Sequence, residues 1–150
     1  MKPSCILVPV KGLAIEDEAL QLAFLLAAPG GDRRPKQRVK LEVIHVIEVP
    51  QAQPLDAELP DAVQHGEAVL AHAEELARHR EVELEAEMLQ ARAAGVAIVD
   101  EAIERGADLI IMGAQYRRLH GEFHLGVTLP YVFKHAPCRV WVARGVKETR

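Results

Sequence analysis

The residues best suited to do chemistry lie in one stretch, from an apolar run at residues 109–112 to Gly126. The run ends at Gly113, as a buried parallel strand does when it meets a loop at its carboxyl end. The loop carries Arg117 and Arg118, and the chain then returns through Gly126 to an apolar helical pattern. Guanidinium groups and the backbone N–H groups at a helix start both favour negative charge. The spacing therefore predicts an anion site, in outline a phosphate or nucleotide site.

The elements that must position this loop alternate between strand-like and helix-like patterns. Apolar runs that predict strands occupy residues 5–10, 39–49 and 82–89, and the last alternates apolar with acidic residues, as an edge strand does. Apolar residues recur at helical spacing between these runs, with Leu22 in the first stripe and Ile103 in the third. Such alternation predicts an α/β fold with a parallel, doubly wound sheet. Its ligand crevice is expected where Lys11 and Gly113 emerge from their strands.

The last third of the chain resembles the signature of the universal stress protein family. In that family a strand ending in Met-Gly leads into G-x2-G-x9-G-[ST], a helix, and a last strand that begins near Ala-Pro-Cys. Gly113 matches the first glycine, Gly126 the third, and residues 136–138 the Ala-Pro-Cys segment. The runs ILVPVKG and LEVIHVIEV are similar to the family's first two strands. The resemblance implies a single domain over residues 1–150 and a five-stranded parallel sheet of order 3-2-1-4-5, Rossmann-like and similar to the adenine nucleotide alpha hydrolases.

Two positions depart from that signature. Tyr116 stands where the second glycine belongs, and its side chain narrows the path expected for a phosphate. Val127 stands where the hydroxyl residue belongs, and the lost donor is worth about 1 kcal/mol if no other group replaces it. Thr128 offers a hydroxyl one step later, although on a helix its side chain points about 100° away.

Several site residues follow from the resemblance. Nucleotide-binding members have an aspartate beside the nucleoside after the first strand, where this chain has Lys11. A lysine cannot accept hydrogen bonds from ribose hydroxyls, but it can place an ammonium against a phosphate. Val46 matches the position whose backbone meets adenine, and Arg92, after the third strand, is expected on the same rim. The complete predicted nucleotide-binding set is Pro9, Val10, Lys11, Gly12, Val46, Arg92, Met112, Gly113, Tyr116, Arg117, Arg118, Gly126, Val127 and Thr128.

Plainer interpretations stay open for the charged members of this set. Lys11 could be an exposed turn lysine, and Arg117 and Arg118 could belong to a solvated basic loop. His120 and His124 are not expected to bind a metal, because they flank a glycine in a loop and no ligand pattern completes a site. No Ser-His-Asp arrangement, nucleophile elbow or Walker lysine motif is present, so no catalytic residue is predicted.

Composition narrows the class of protein. The 18 basic and 22 acidic side chains give a net charge of −4, which weighs against nucleic acid as a partner. No run approaches the roughly 18 apolar residues of a membrane span, and the N-terminus lacks the apolar core of a signal peptide. A cytoplasmic protein without direct membrane insertion is expected, with Cys5 and Cys138 as buried thiols in a reducing compartment.

The resemblance implies a regulatory domain that binds an adenine nucleotide without turnover. AMP, ADP, ATP or a cyclic adenine nucleotide would fit, with the need for Mg²⁺ left open. A homodimer through the last strand, Cys138 to Ala143, is also implied. Several segments further resemble stress-protein domains associated with amino-acid permeases, which suggests regulation of a membrane transporter. Two alternatives are a dimeric interaction module with a vestigial site and a slow ATP hydrolase, the latter disfavoured because no Mg²⁺-holding carboxylate is recognisable beside the loop.

Overall fold

Strands and helices alternate along the chain, as the sequence pattern predicts. The computed structural model describes residues 2–28, 38–115, 118–119, 122–123 and 126–146, with the backbone alone at 118–119 and 122–123. The elements are β1 (Cys5–Pro9), α1 (Glu16–Ala27), β2 (Lys40–Glu48), α2 (Pro60–His79), β3 (Glu85–Ala91), α3 (Ala94–Arg105), β4 (Leu109–Ala114), β5 (Arg118–Leu119), β6 (Glu122–Phe123), α4 (Thr128–His135) and β7 (Arg139–Arg144).

Five of these strands form one sheet in the order β3-β2-β1-β4-β7, and every pairing in it is parallel. This is the predicted order 3-2-1-4-5, which is confirmed. The fifth strand of the sheet is β7 because a short antiparallel hairpin, β5 with β6, intervenes in the sequence. β3 lies at one edge, as its alternating pattern predicts, and β1 lies at the centre with all five residues buried.

Helices cover both faces of the sheet and create two apolar cores. Because successive strand residues point to opposite faces, Ile6 and Val8 of β1 pack with α1 and α2. Leu7, between them, packs with α3 and α4 on the other face. Within the part of the chain that the structure describes, no helix is long and apolar enough to cross a membrane.

Some details differ from the sequence patterns. β4 does not end at Gly113 but continues through Ala114, because both residues pair with β7. Leu22 and Ile103 lie on helices, as their spacing predicts, but they are exposed, with 36% and 60% of their respective surfaces accessible. On α1 the core is instead filled by Phe24, which is 2% exposed.

A network of ion pairs joins α3 to β2 and β3. Glu42 of β2 is 1% exposed, and its Oε1 atom lies 3.1 Å from Lys40 Nζ. Its Oε2 atom lies 3.1 Å from Arg105 Nη1, in an ion pair outside hydrogen-bond geometry. Arg105 also contacts Glu101 and Glu87. Burial alone would lower the pKa of the Arg105 guanidinium, but the three carboxylates raise that pKa overall.

Both cysteines are free thiols, Cys5 buried and Cys138 half-buried. Burial, followed by the negative charge of Glu42, raises the pKa of the Cys5 thiol to about 11. Since the thiolate is the reactive form, Cys5 is an unreactive core residue at neutral pH.

Candidate ligand site at the ends of β1 and β4

A cavity of about 170 Å³ opens at the carboxyl ends of β1 and β4. These neighbouring strands lead to helices on opposite faces of the sheet, so the cavity occupies the switch point where open α/β sheets bind ligands. Eight residues of the predicted set line it: Pro9, Val10, Lys11, Val46, Met112, Gly113, Gly126 and Thr128.

Glu16, the first residue of α1, holds the turn that follows β1. Its side chain lines the cavity although Glu16 is only 5% exposed. Oε1 accepts hydrogen bonds from the backbone N–H groups of Lys11, Gly12 and Leu13, each at 2.9 Å, and Oε2 accepts a further contact from Lys11 N–H at 3.1 Å. A carboxylate therefore sits in a cradle of backbone donors at the wall of the cavity.

The environment of Glu16 shifts its proton affinity. Burial raises the pKa of the Glu16 carboxyl above its usual value. The backbone N–H groups of Lys11, Leu13 and Gly12 and the charge of Lys11 oppose this rise without cancelling it. The N–H groups stabilise the charged form, because hydrogen bonds to a carboxylate favour ionisation.

Two histidines, one on β2 and one on α2, contact the backbone of the same turn. His45 Nδ1 lies 2.9 Å from the carbonyl oxygen of Val10, and His65 Nε2 lies 3.1 Å from that of Lys11. The His45 ring fits because residue 66 is glycine, where an added Cβ would lie 2.7 Å from the ring. His45 is a buried, hydrogen-bonded residue that positions the backbone at the cavity wall.

On the β4 side, two glycines serve different needs. A Cβ at Gly113 would lie 2.9 Å from Glu16 Cγ and 3.2 Å from its Cα, so glycine lets β4 pack directly against the start of α1. Gly126 has a φ of +73° with open space around it, so its requirement is conformational. α4 begins at Thr128, which lines the cavity, and its first N–H groups lie at this end of the sheet.

On the β2 side the wall is mainly apolar. Val46 comes from the end of β2, and Ala94 and Ile98 come from the first turns of α3. Glu48, the last residue of β2, adds an exposed carboxylate at the rim. This side suits a flat apolar group, whereas the β4 side offers backbone donors.

Other members of the predicted set do not line the cavity. Arg92 Nη1 donates to the carbonyl oxygens of Pro50 at 2.6 Å and Gln53 at 2.7 Å, so its guanidinium braces the loop between β2 and α2. Val127 precedes α4 and is 85% exposed. Gly12 lies in the β1 turn and lines a neighbouring cavity between α1 and α2.

The remaining predictions concern the loop between β4 and α4. Tyr116, Arg117, His120 and His124 lie outside the described residues. Arg118 begins β5, where the description is limited to the backbone. Among the side chains that the structure does describe, no group of three or more His, Cys, Asp or Glu residues could hold a metal ion.

One sequence pattern marks Glu16 as a residue that could bind the turn after β1. An acidic residue three to five positions after a Lys-Gly turn, at the start of a helix, can reach back to free N–H groups, as in a capping box. Because all three residues at 16–18 are acidic, Glu16 is easily interpreted as part of the ordinary preference for acidic residues at a helix start.

Comparison with known proteins places the chain in a family. A model described as the Universal stress protein family matches residues 5–144. No match is found among curated proteins.

Solved structures of universal stress proteins share the fold. Universal stress protein UspA from Lactobacillus plantarum is 25% identical with a TM-score of 0.64, over 96% of this chain and 99% of that one. A universal stress protein from Archaeoglobus fulgidus in complex with dAMP is 20% identical with a TM-score of 0.69, over 95% of this chain and 98% of that one. A universal stress protein in complex with cAMP is 18% identical with a TM-score of 0.66, over 97% of this chain and all of that one.

Proposed function

The chain belongs to the universal stress protein family, and we propose that it binds an adenine nucleotide in the cavity between β1 and β4 and acts through binding rather than turnover. The observation that carries this proposal is the convergence of eight predicted residues from four separate segments on one cavity. The dAMP and cAMP held by two structurally similar proteins support an adenine ligand.

The adenine ring is assigned to the β2 side. Ile44 C=O accepts a hydrogen bond from Val10 N–H, so the backbone of Ile44 faces β1. Two residues later, Val46 presents its backbone to the same side, beyond the end of β1 at Pro9. Its N–H and C=O can therefore pair with the edge of a base, while Ala94 and Ile98 of α3 offer an apolar surface to one face of the ring.

The phosphate is assigned to the start of α4. Gly126 permits close backbone approach, and the N–H groups of the first helical turn attract an anion. Thr128 lines the cavity and Val127 does not, so the hydroxyl at 128 is the one available to a ligand there. Lys11 adds positive charge from the β1 turn, and Arg117 and Arg118 stay predicted phosphate contacts.

Binding without turnover fits the state of the central carboxylate. Oε1 of Glu16 already accepts three backbone N–H groups and Oε2 accepts one, so only Oε2 can accept a further hydrogen bond and the side chain is poorly placed to hold a metal ion or to activate water. The alternative, a slow ATP hydrolase, predicts phosphate release above a protein-free control that disappears on mutation of the cavity.

A thermal-shift panel tests the proposal. AMP, ADP, ATP, cyclic AMP and their guanine counterparts are compared, and a ligand at a hundredfold excess over its Kd is expected to stabilise the protein by about 2.7 kcal/mol. Lys11→Ala should weaken the shift, whereas Lys134→Ala, an exposed lysine in the last turn of α4, should not. No shift with any adenine nucleotide would contradict the proposal and favour a protein-binding module with a vestigial site.

We also propose a cytoplasmic homodimer that pairs through the last strand, predicted at Cys138 to Ala143. β7 ends the sheet on its side, which leaves that edge as the place for a second copy. Sedimentation equilibrium at micromolar concentration should give twice the mass of the chain, and a monomer throughout would refute the dimer. Regulation of an amino-acid transporter rests on the sequence resemblance, and a tagged pull-down from membranes that recovers no permease would refute it.

A further inference from the structure

Glu16 places a buried negative charge at the middle of the proposed site. In the sheet, β1 lies between β2 and β4, so the β1 turn lies between the base side and the phosphate side. Glu16 accepts hydrogen bonds from the N–H groups of that turn and packs against Gly113 of β4. Glu16 lines the same cavity as Val46 and Thr128, so a ligand that extends from one to the other lies beside this residue.

The part of a nucleotide that passes Glu16 is the sugar. The ribose joins the base to the 5′-phosphate, so a base beside β2 and a phosphate beside α4 place the ribose over the end of β1. This step rests on the proposed function, since it takes the two ends of the ligand from that assignment.

Glu16 changes what the β1 turn can accept. Converging backbone N–H groups, like those of Lys11, Gly12 and Leu13, ordinarily attract an anion from solution. Here the carboxylate already occupies them, and a second anion at the same place would meet its like charge, which the exposed Lys11 ammonium offsets only in part. An ionised carboxylate only accepts hydrogen bonds, so its favoured neighbours are hydroxyl or amino donors.

We propose that Glu16 is a specificity-determining residue that selects nucleotides with a free, uncharged 2′,3′-diol and confines the phosphate to the side of α4. The ligand class is thus a 5′-phosphorylated ribonucleoside. A 3′,5′-cyclic phosphate is disfavoured twice, because it removes the 3′-hydroxyl donor and brings negative charge towards the β1 turn. In this respect the chain is expected to differ from the universal stress protein that was solved with cAMP and from the one solved with dAMP, which lacks the 2′-hydroxyl.

Isothermal titration with three ligands tests this selection. AMP, 3′-deoxy-AMP and 3′,5′-cyclic AMP are titrated into the wild-type protein, Glu16→Gln and Glu18→Gln. Glutamine keeps an acceptor for the three N–H groups held by Oε1 but replaces Oε2 with a donor. Glu18 lies in the same helical turn and is exposed, so its variant makes the same change of charge away from the cavity.

The wild type and Glu18→Gln should bind AMP about tenfold more tightly than 3′-deoxy-AMP, the size expected for one hydrogen bond to a charged group, and cyclic AMP should bind more weakly still. In Glu16→Gln the preference over cyclic AMP should fall to about twofold or less, because AMP loses the charged acceptor and cyclic AMP no longer meets a negative charge. Thermal unfolding without ligand checks that each variant is folded, and if Glu16→Gln is not, the wild-type ligand series decides alone.

The outcomes separate the two proposals. Equal wild-type affinity for AMP and cyclic AMP, or a preference that survives unchanged in Glu16→Gln, overturns the role of Glu16 while adenine-nucleotide binding stands. Absence of binding by any adenine ligand to any variant overturns the proposed function, and this inference with it.

Discussion

Loss of Arg105 should destabilise the protein far more than loss of an exposed arginine. The Arg105 side chain is 15% exposed and neutralises Glu42, whose side chain is 2% exposed. Removing one partner of a buried ion pair costs about 3–5 kcal/mol because the other charge stays buried. The half-exposed Lys40 still contacts Glu42, so part of the buried negative charge stays neutralised when Arg105 is lost. We therefore expect Arg105→Met to lower the free energy of unfolding by about 3 kcal/mol, the low end of that range.

Urea denaturation followed by circular dichroism measures this change. Arg78→Met is the matched control, because Arg78 pairs with Glu75 on the surface of α2 and its side chain is 69% exposed. An exposed pair contributes about 0–1 kcal/mol, so the control should unfold close to the wild type. The double variant Arg105→Met with Glu42→Leu should recover most of the loss, since apolar replacement of a buried pair is often neutral or stabilising.

Two results would refute this reasoning. One is a cost for Arg105→Met no larger than that for Arg78→Met, which would mean that Glu42 is hydrated rather than buried. The other is a double variant less stable than Arg105→Met alone, which would mean that Glu42 contributes through packing and not through its charge.

Three further changes probe the site and its supports. Gly113→Ala should cost about 1–3 kcal/mol in urea unfolding and weaken nucleotide binding, because its Cβ would displace Glu16; normal binding would contradict this. Burial raises the pKa of the Asp108 carboxyl, but hydrogen bonds from Ser4 lower that pKa overall. Asp108→Asn should therefore be less stable than the wild type at pH values above 3.8, the ordinary pKa of an aspartate. That deficit should shrink as pH falls through the lowered folded pKa, and a deficit independent of pH would refute the assignment. Arg92→Met should speed amide exchange in the loop at 49–57, while unchanged exchange would show that the arginine does not brace it.

Much of the fold follows from local patterns. Apolar runs bounded by Gly113 and by the turn at Lys11 predict buried parallel strands, and the alternation of acidic and apolar residues places β3 at an edge. Gly106 adopts a left-handed conformation with a φ of 65°, as a helix C-cap does. These features depend on neighbouring residues, so a single sequence reveals them.

The site could be predicted only in part, because some of its contacts join distant segments. Glu16 is ordinary in its own helix, and its burial depends on Gly113, which arrives from β4. Arg92 emerges near the predicted rim, yet its donors are taken by carbonyl groups 39 to 43 positions earlier in the chain. Sequence places a side chain at an end of the sheet but does not fix its hydrogen-bond partners.

The most direct test of the central claim is an NMR titration of the ¹⁵N-labelled protein with AMP, read at individual backbone amides. We predict saturable shifts that cluster at Lys11, Val46, Gly113 and Thr128, which come from the segments that converge on the cavity. Absence of shifts at saturating AMP, or shifts confined to the edge strand β7, would contradict nucleotide binding at this site.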